Sequence, residues 1–116
     1  MGRAYCNLGL AHLALGNSET ALECQKYFLA LAHMMKHLQG KFRALGNIGD
    51  VLMKMKNYDE AVKVYQKQLV LAKQSRDKIL EASAYGALGL AHRLLKCFDK
   101  ALGFHTQVIT NLNFDF

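Results

Sequence analysis

Proline is missing from all 116 residues, so no residue breaks a helix by removing a backbone N–H and clashing with the preceding turn. Cysteine is sparse. Cys6, Cys24 and Cys97 are odd in number and far apart, which excludes a C-x-x-C zinc ribbon and argues against a disulfide framework. The expected setting is reducing and intracellular, with the thiols acting as small buried or half-buried hydrophobes. No apolar run approaches the roughly 18 residues that a membrane span needs. The opening residues also lack the basic, apolar and small-residue succession of a signal peptide. Acidic side chains are in the minority, nine against fifteen Lys and Arg, for a net charge of +6. These cations are scattered rather than interleaved with aromatics, so an acidic protein partner is a stronger expectation than a nucleic acid. What remains is a chain that is 52% hydrophobic and 21% charged, the composition of one folded domain, and without proline the first expectation is all-α.

The chain also has a period. Displaced by forty residues it matches itself without a gap: Ala4, Ala44 and Ala84 coincide, as do Gly9, Gly49 and Gly89, and Ala21, Ala61 and Ala101. Pairs fill in the rest, among them Arg3 with Arg43, Tyr5 with Tyr85, Asn7 with Asn47, Leu8 with Leu88 and His12 with His92. Three units are expected, at 1–40, 41–80 and 81–116, each with a helix A and a helix B. In the first, Tyr5, Leu8, His12 and Leu15 step by three, four and three along one face, the expected packing side of helix A. "GNSE" at 16–19 supplies a glycine stop and an Asn or Ser cap, while Asp59 and Asp99 favour the helix starts in the later units. Helix B offers Ala21, Phe28, Leu29 and Ala32 as its apolar set, and joints between units are expected at "QGK" (39–41) and "QSRD" (74–77). A glycine inside a helix costs about 1 kcal/mol relative to alanine. Gly9, Gly49 and Gly89 are therefore expected where helices A and B cross, with the backbones close enough to exclude a side chain.

These residues resemble the tetratricopeptide repeat, whose pattern runs aromatic-x2-Leu-Gly-x2-Tyr, then Ala-x3-Phe, then Pro. The first unit gives Tyr5, Leu8, Gly9 and His12, then Ala21 and Gln25; the second gives Leu45, Ile48, Gly49 and Leu52, then Ala61 and Tyr65. The third gives Tyr85, Leu88, Gly89 and His92, then Ala101 and His105. The period of 40 and the missing proline depart from the usual repeat of about 34 residues and imply a longer helix B and joint. "GRAYCNLG" and "FRALGNIG" look like the subclass found in G-protein-signalling modulators, the spindle-orientation adaptors. The resemblance implies a right-handed superhelical solenoid of three helix-turn-helix units, six antiparallel helices in all. It also implies a cytoplasmic interaction scaffold, associated with cytoskeleton or spindle and with the cell cycle.

In that family the A helices line a concave groove, which directs attention to the stripe opposite the packing face. It comprises Arg3, Asn7, Leu10 and Ala14, then Arg43, Asn47, Asp50 and Lys54, then Ser83, Ala87, Leu90 and Leu94, with Arg93 beside them. Asn can donate to and accept from a peptide backbone, and Arg takes carboxylates bidentately. The expected ligand is an extended, acidic partner segment. The Lys and Asn set that clamps chaperone tails is not assembled, since the neighbouring positions are Cys6, Gly46 and Gly86 and Leu10, Asp50 and Leu90. His33 and His37 stand four apart, a chelating spacing, but no carboxylate or thiolate near them in sequence completes a metal site; they are expected to be an exposed pair near the end of helix B. His12, His92 and His105 replace family aromatics and are expected in or near the core. With no nucleophile–base pair, paired carboxylates or phosphate loop, neither an enzyme nor a cofactor is expected. The third unit loses the pattern after Gln107, in "VITNLNFDF", so an uncapped apolar edge is expected there. The alternative role is a structural spacer in a longer array, self-associating, as a homodimer, through exposed end helices.

Overall fold

The computed structural model describes residues 2–112 and is all-helical over them. Six helices follow one another: α1 (Gly2–Ala14), α2 (Ser18–Met34), α3 (Leu38–Lys54), α4 (Tyr58–Ser75), α5 (Lys78–Leu94) and α6 (Phe98–Asn111). Helices α1, α3 and α5 are the A helices and α2, α4 and α6 the B helices. The chain divides into two compact units, with α1, α2 and α3 in one and α4, α5 and α6 in the other. In each unit the middle helix packs along both of its neighbours, and in the first α1 also touches α3.

Repeated turn chemistry ends the helices. After α1, α2, α3 and α5 the chain turns through a left-handed residue: Gly16 (φ 84°), Lys36 (53°), Lys56 (62°) and Lys96 (63°). At each, that residue's N–H donates back three residues and the next N–H donates back five, as in Lys56 to Met53 and Asn57 to Leu52. These paired bonds satisfy carbonyls that the helix end leaves orphaned. Three of the four positions are lysine, which bears a left-handed backbone less easily than glycine but brings a cation to the negative helix end. The joints are shorter than "QGK" implies. Gln39, Gly40 and Lys41 lie in the first turn of α3, and the connection is 35–37. His37 makes this possible by capping α3, its Nδ1 accepting the Gly40 N–H at 2.8 Å. Thus His37 stands outside helix B, and its spacing from His33 reflects a cap rather than a shared face. "QSRD" does hold a joint, at 76–77, where Asp77 caps α5 by accepting from Ile79 and Leu80.

The packing face of α1 departs from the sequence reading. Leu8 and Leu15 are 49% and 76% exposed, Tyr5 is 38% exposed with its ring against Tyr27 of α2 at 5.6 Å, and the strip that α1 buries centres on Cys6 and Gly9. The same positions on the later A helices are buried: Ile48 is 5% exposed and Leu88 is 0%. The reason is neighbours. Helix α3 lies against the B helix before it, where Ala44 packs with Phe28 of α2 and Cys6 of α1, and α5 lies against α4 as well as α6. Helix α1 has no preceding B helix among the described residues, so its outer face is bare. Ala21, Ala61 and Ala101, at 0%, 0% and 4%, are buried as the period implies.

The helical glycines separate into two kinds. A Cβ on Gly9 would stand 2.5 Å from the Gln25 amide nitrogen and 3.1 Å from the Cys24 Cβ, both on α2. One on Gly89 would meet the His105 ring of α6 at 2.8 Å, whereas Gly103 has nothing within 4 Å. Close approach thus explains Gly9 and Gly89 but not Gly103. Substitution Gly9→Ala is expected to lower stability by about 1–2 kcal/mol, because displacing a buried amide outweighs the gain in helix propensity. Gly103→Ala is expected to raise it by up to about 1 kcal/mol. Urea unfolding of the two variants beside the wild type checks both signs.

Candidate functional site

The stripe residues of the first unit lie on α1 and α3. Arg3, Asn7, Leu10, Arg43, Asp50 and Lys54 are all exposed, with Leu10 at 46%. Asn47 differs from its repeat mate Asn7. It is half-buried, and its Nδ2 donates to the Gln25 Oε1 at 3.1 Å and approaches the Cys6 Sγ at 3.4 Å. The Asn47 amide nitrogen is thus engaged within the unit, so the two asparagines are not equivalent. Gln25, 1% exposed, completes the network by donating from Nε2 to the Cys6 carbonyl at 3.1 Å. One buried amide on α2 therefore joins α1 to α3. An amide desolvated this deeply has to be bonded at both ends, and this one is.

Fixing α1 against α3 has a consequence at their N-terminal ends. Arg3 and Arg43 line one pocket of about 380 Å³, together with Phe28, Leu31, Ala32 and Met35 of the α2 end and His37, Gln39 and Gly40 of the α3 start. Sequence reasoning places the two arginines on one stripe; the structure brings them to one cavity. The apolar floor and the His37 cap escape that reasoning, because they belong to helix B and to a joint. The one signal for Gln25 is its place in the repeat, where the pattern asks for an aromatic.

In the second unit the stripe is α5 alone. Leu90 and Leu94 are each 43% exposed and Arg93 is exposed beside them, while Ala87 is half-buried. Glu81, near the start of α5, is buried and held by Lys78 at 3.2 Å and by the Asn111 amide of α6 at 3.2 Å. His105 is exposed on the whole, with its ring over Gly89, and is not the core residue that its aromatic position suggests. Helix α6 leaves Leu102 and Ile109 at 68% and 39% exposed. Residues 113–116, the end of the segment where the pattern is lost, lie outside the described residues.

The helix pairs, the crossing glycines and the buried alanines are the marks of one repeat family. Residues 41–113 match the tetratricopeptide repeat, and residues 2–32 match it again. The chain is a tetratricopeptide repeat protein. It is 38% identical over 77 residues to the outer dynein arm-docking complex subunit 4 of Xenopus laevis, covering 66% of this chain and 14% of that protein. It is 35% identical over 107 residues to the Danio rerio protein of the same name, covering 92% of this chain and 21% of the relative. The human cell division cycle protein 16 homolog is 31% identical over 108 residues, with 87% of this chain and 16% of that protein covered. The chain thus spans between about a seventh and a fifth of the length of these relatives. Among solved structures, the tetratricopeptide repeat domain of Arabidopsis FLU superposes with a TM-score of 0.88 at 24% identity, over 98% of this chain and 96% of that one. The N-terminal domain of stress-induced protein-1 from C. elegans gives 0.79 at 19%, over 95% and 83%. Tetratricopeptide repeats are as a family non-catalytic modules of protein interaction. No helix of the described residues is long and apolar enough to cross a membrane.

The repeat also explains His92, which takes the place of the family's tyrosine. It is 8% exposed and stacks on Phe104 at 5.2 Å, and Phe104 in turn stacks near Tyr85 at 6.2 Å. In the first repeat, His12 Nδ1 has the Asn17 amide at 3.4 Å. The third repeat has Cys97 at that place, its thiol is turned to the Leu95 carbonyl, and His92 Nδ1 is buried without a hydrogen-bond partner. Burial, and secondarily the charge of Lys100, holds the imidazole below its ordinary pKa of 6.5. The folded state then binds this proton less readily than the unfolded chain does. The stabilisation is complete above pH 6.5 and is lost as the pH falls through the lower folded value. Unfolding curves between pH 7.5 and 5 are expected to show the wild type losing stability faster than His92→Phe, with parallel losses counting against this role (buffer range about that of histidine titration).

Proposed function

We propose that the chain is a non-catalytic scaffold that holds an extended, acidic segment of a partner protein along the α1 and α3 stripe. The observation that carries this reading is the convergence of Arg3 and Arg43 on one pocket. Two guanidiniums from successive A helices offer bidentate donors to carboxylates, and the net charge of +6 favours an acidic partner at a distance. Asn7 and Leu10 continue the surface along α1, and Asp50 and Lys54 continue it along α3. In the second unit, Leu90 and Leu94 with Arg93 offer by themselves an apolar patch rimmed by a cation, suited to a hydrophobic side chain of a partner. A cytoplasmic adaptor of larger assemblies fits this surface, and several relatives are by name subunits of a docking complex.

The second reading, a structural spacer that self-associates end to end, is favoured by one observation: the apolar strips left bare on α1 and α6. Leu8 is 49% exposed where Leu88 is 0%, and Leu102 is 68% exposed where its repeat mate Val62 is 9%. The two readings separate in one set of measurements. Reversing charge with Arg43→Glu and Lys54→Glu together is expected to abolish capture of an acidic partner segment while leaving helicity by circular dichroism unchanged. Capture that survives the reversal removes the stripe from the account. Light scattering of the wild type and Leu102→Glu reads the other: a mass that rises with concentration only in the wild type supports self-association, and a constant monomer removes it.

A further inference from the structure

We propose that the pocket between Arg3 and Arg43 is the specificity station of that surface, taking an acidic side chain of the partner together with the apolar side chain next to it. This rests on the reading of the stripe as the binding surface, and it names what the stripe selects. Three features of the pocket support it. First, both arginines line it and neither has an ion-pair or hydrogen-bond partner among the described residues. Two like charges around one cavity repel unless an anion lies between them, and a carboxylate there gains charge-assisted hydrogen bonds from both.

Second, the floor is apolar rather than polar. Phe28 and Ala32 are buried beneath it, Leu31 is half-buried, and Met35 stands at the rim with 73% of its surface exposed. An anion alone needs no such floor, and a free phosphate or a lone aspartate would leave it wet. The unbranched Met35 thioether adapts its shape to the side chain it covers. The volume of about 380 Å³ is at the low end of small ligand sites, room for a pair of side chains and not for a folded element. Third, His37 contributes a donor. Its Nδ1 accepts the Gly40 N–H, so the neutral ring carries its proton on Nε2. The carboxylate is a side chain's rather than a chain terminus, because Asn7 and Leu10 extend the same stripe beyond the pocket and the bound segment runs on past it.

The test is selection from a random-peptide phage library on the wild-type protein, followed by titration of fluorescein-labelled synthetic copies of the selected peptides. Peptides carrying Asp or Glu beside a large apolar residue are expected. Their affinity is expected to fall about tenfold or more with Arg3→Gln and several-fold with Met35→Ser, and to be untouched by amidating the peptide C-terminus. Both protein positions are exposed, so the variants fold, and circular dichroism checks that they do. Selected peptides that lose binding with the Arg43→Glu and Lys54→Glu pair, yet show no acid–apolar pair or no response to Arg3→Gln and Met35→Ser, overturn the pocket while the stripe stands. Affinity that disappears on amidation overturns it in favour of a terminal carboxylate. Peptides indifferent to every one of these variants overturn the pocket and the stripe together.

Discussion

The buried amide of Gln25 is the interaction on which the first unit depends. Packing alone lets two helices slide along a greasy seam, since apolar contact has no direction. Hydrogen bonds do have direction. Gln25 donates to the Cys6 carbonyl of α1 and accepts from Asn47 of α3, so it fixes the height of both A helices against the B helix between them. Gly9 makes room for this amide, since a Cβ there would stand 2.5 Å from its nitrogen. The pocket that gathers Arg3 and Arg43 lies toward the N-terminal ends of the same α1 and α3, and its geometry follows from their register.

Burial along the chain depends less on residue type than on how many helices lie against a position. Leu8 and Leu88 occupy the same place in the repeat and differ by half of their surface, because α5 packs between α4 and α6 whereas α1 packs along α2 and only touches α3. Such a chain is stabilised by a sum of nearest-neighbour contacts rather than by one core. A side chain at a bare face contributes nothing until something covers it. The His92 stack shows the opposite case, a polar ring so fully covered that its Nδ1 has no partner.

The architecture was legible in the sequence because a forty-residue identity of glycines and alanines records where helices touch. The six helices, the small-residue crossings and the family all follow from it. Two kinds of feature were not legible. The inward face of α1 was read only in part: Tyr5 meets Tyr27 of α2, but Leu8 and Leu15 stay exposed because the use of that stripe depends on a neighbour, and periodicity does not count neighbours. The distinction between Asn7 and Asn47 was hidden because it arises from Gln25, far away in sequence. His37 read as one of an exposed pair near the end of helix B, and only its place at the start of α3 makes it a cap. For the candidate site, sequence supplied the exposed arginines and the structure supplied the floor beneath them.

The central claim, that a single buried amide holds α1 and α3 in register, is tested most directly by a double-mutant cycle on Gln25→Leu and Asn47→Leu in denaturant unfolding. Each single change strands a polar group of the other residue, whereas the double change removes both. The account predicts that the double variant is more stable than the sum of the single losses implies, by about 1 kcal/mol or more. Losses that add to within about 0.3–0.5 kcal/mol would contradict it.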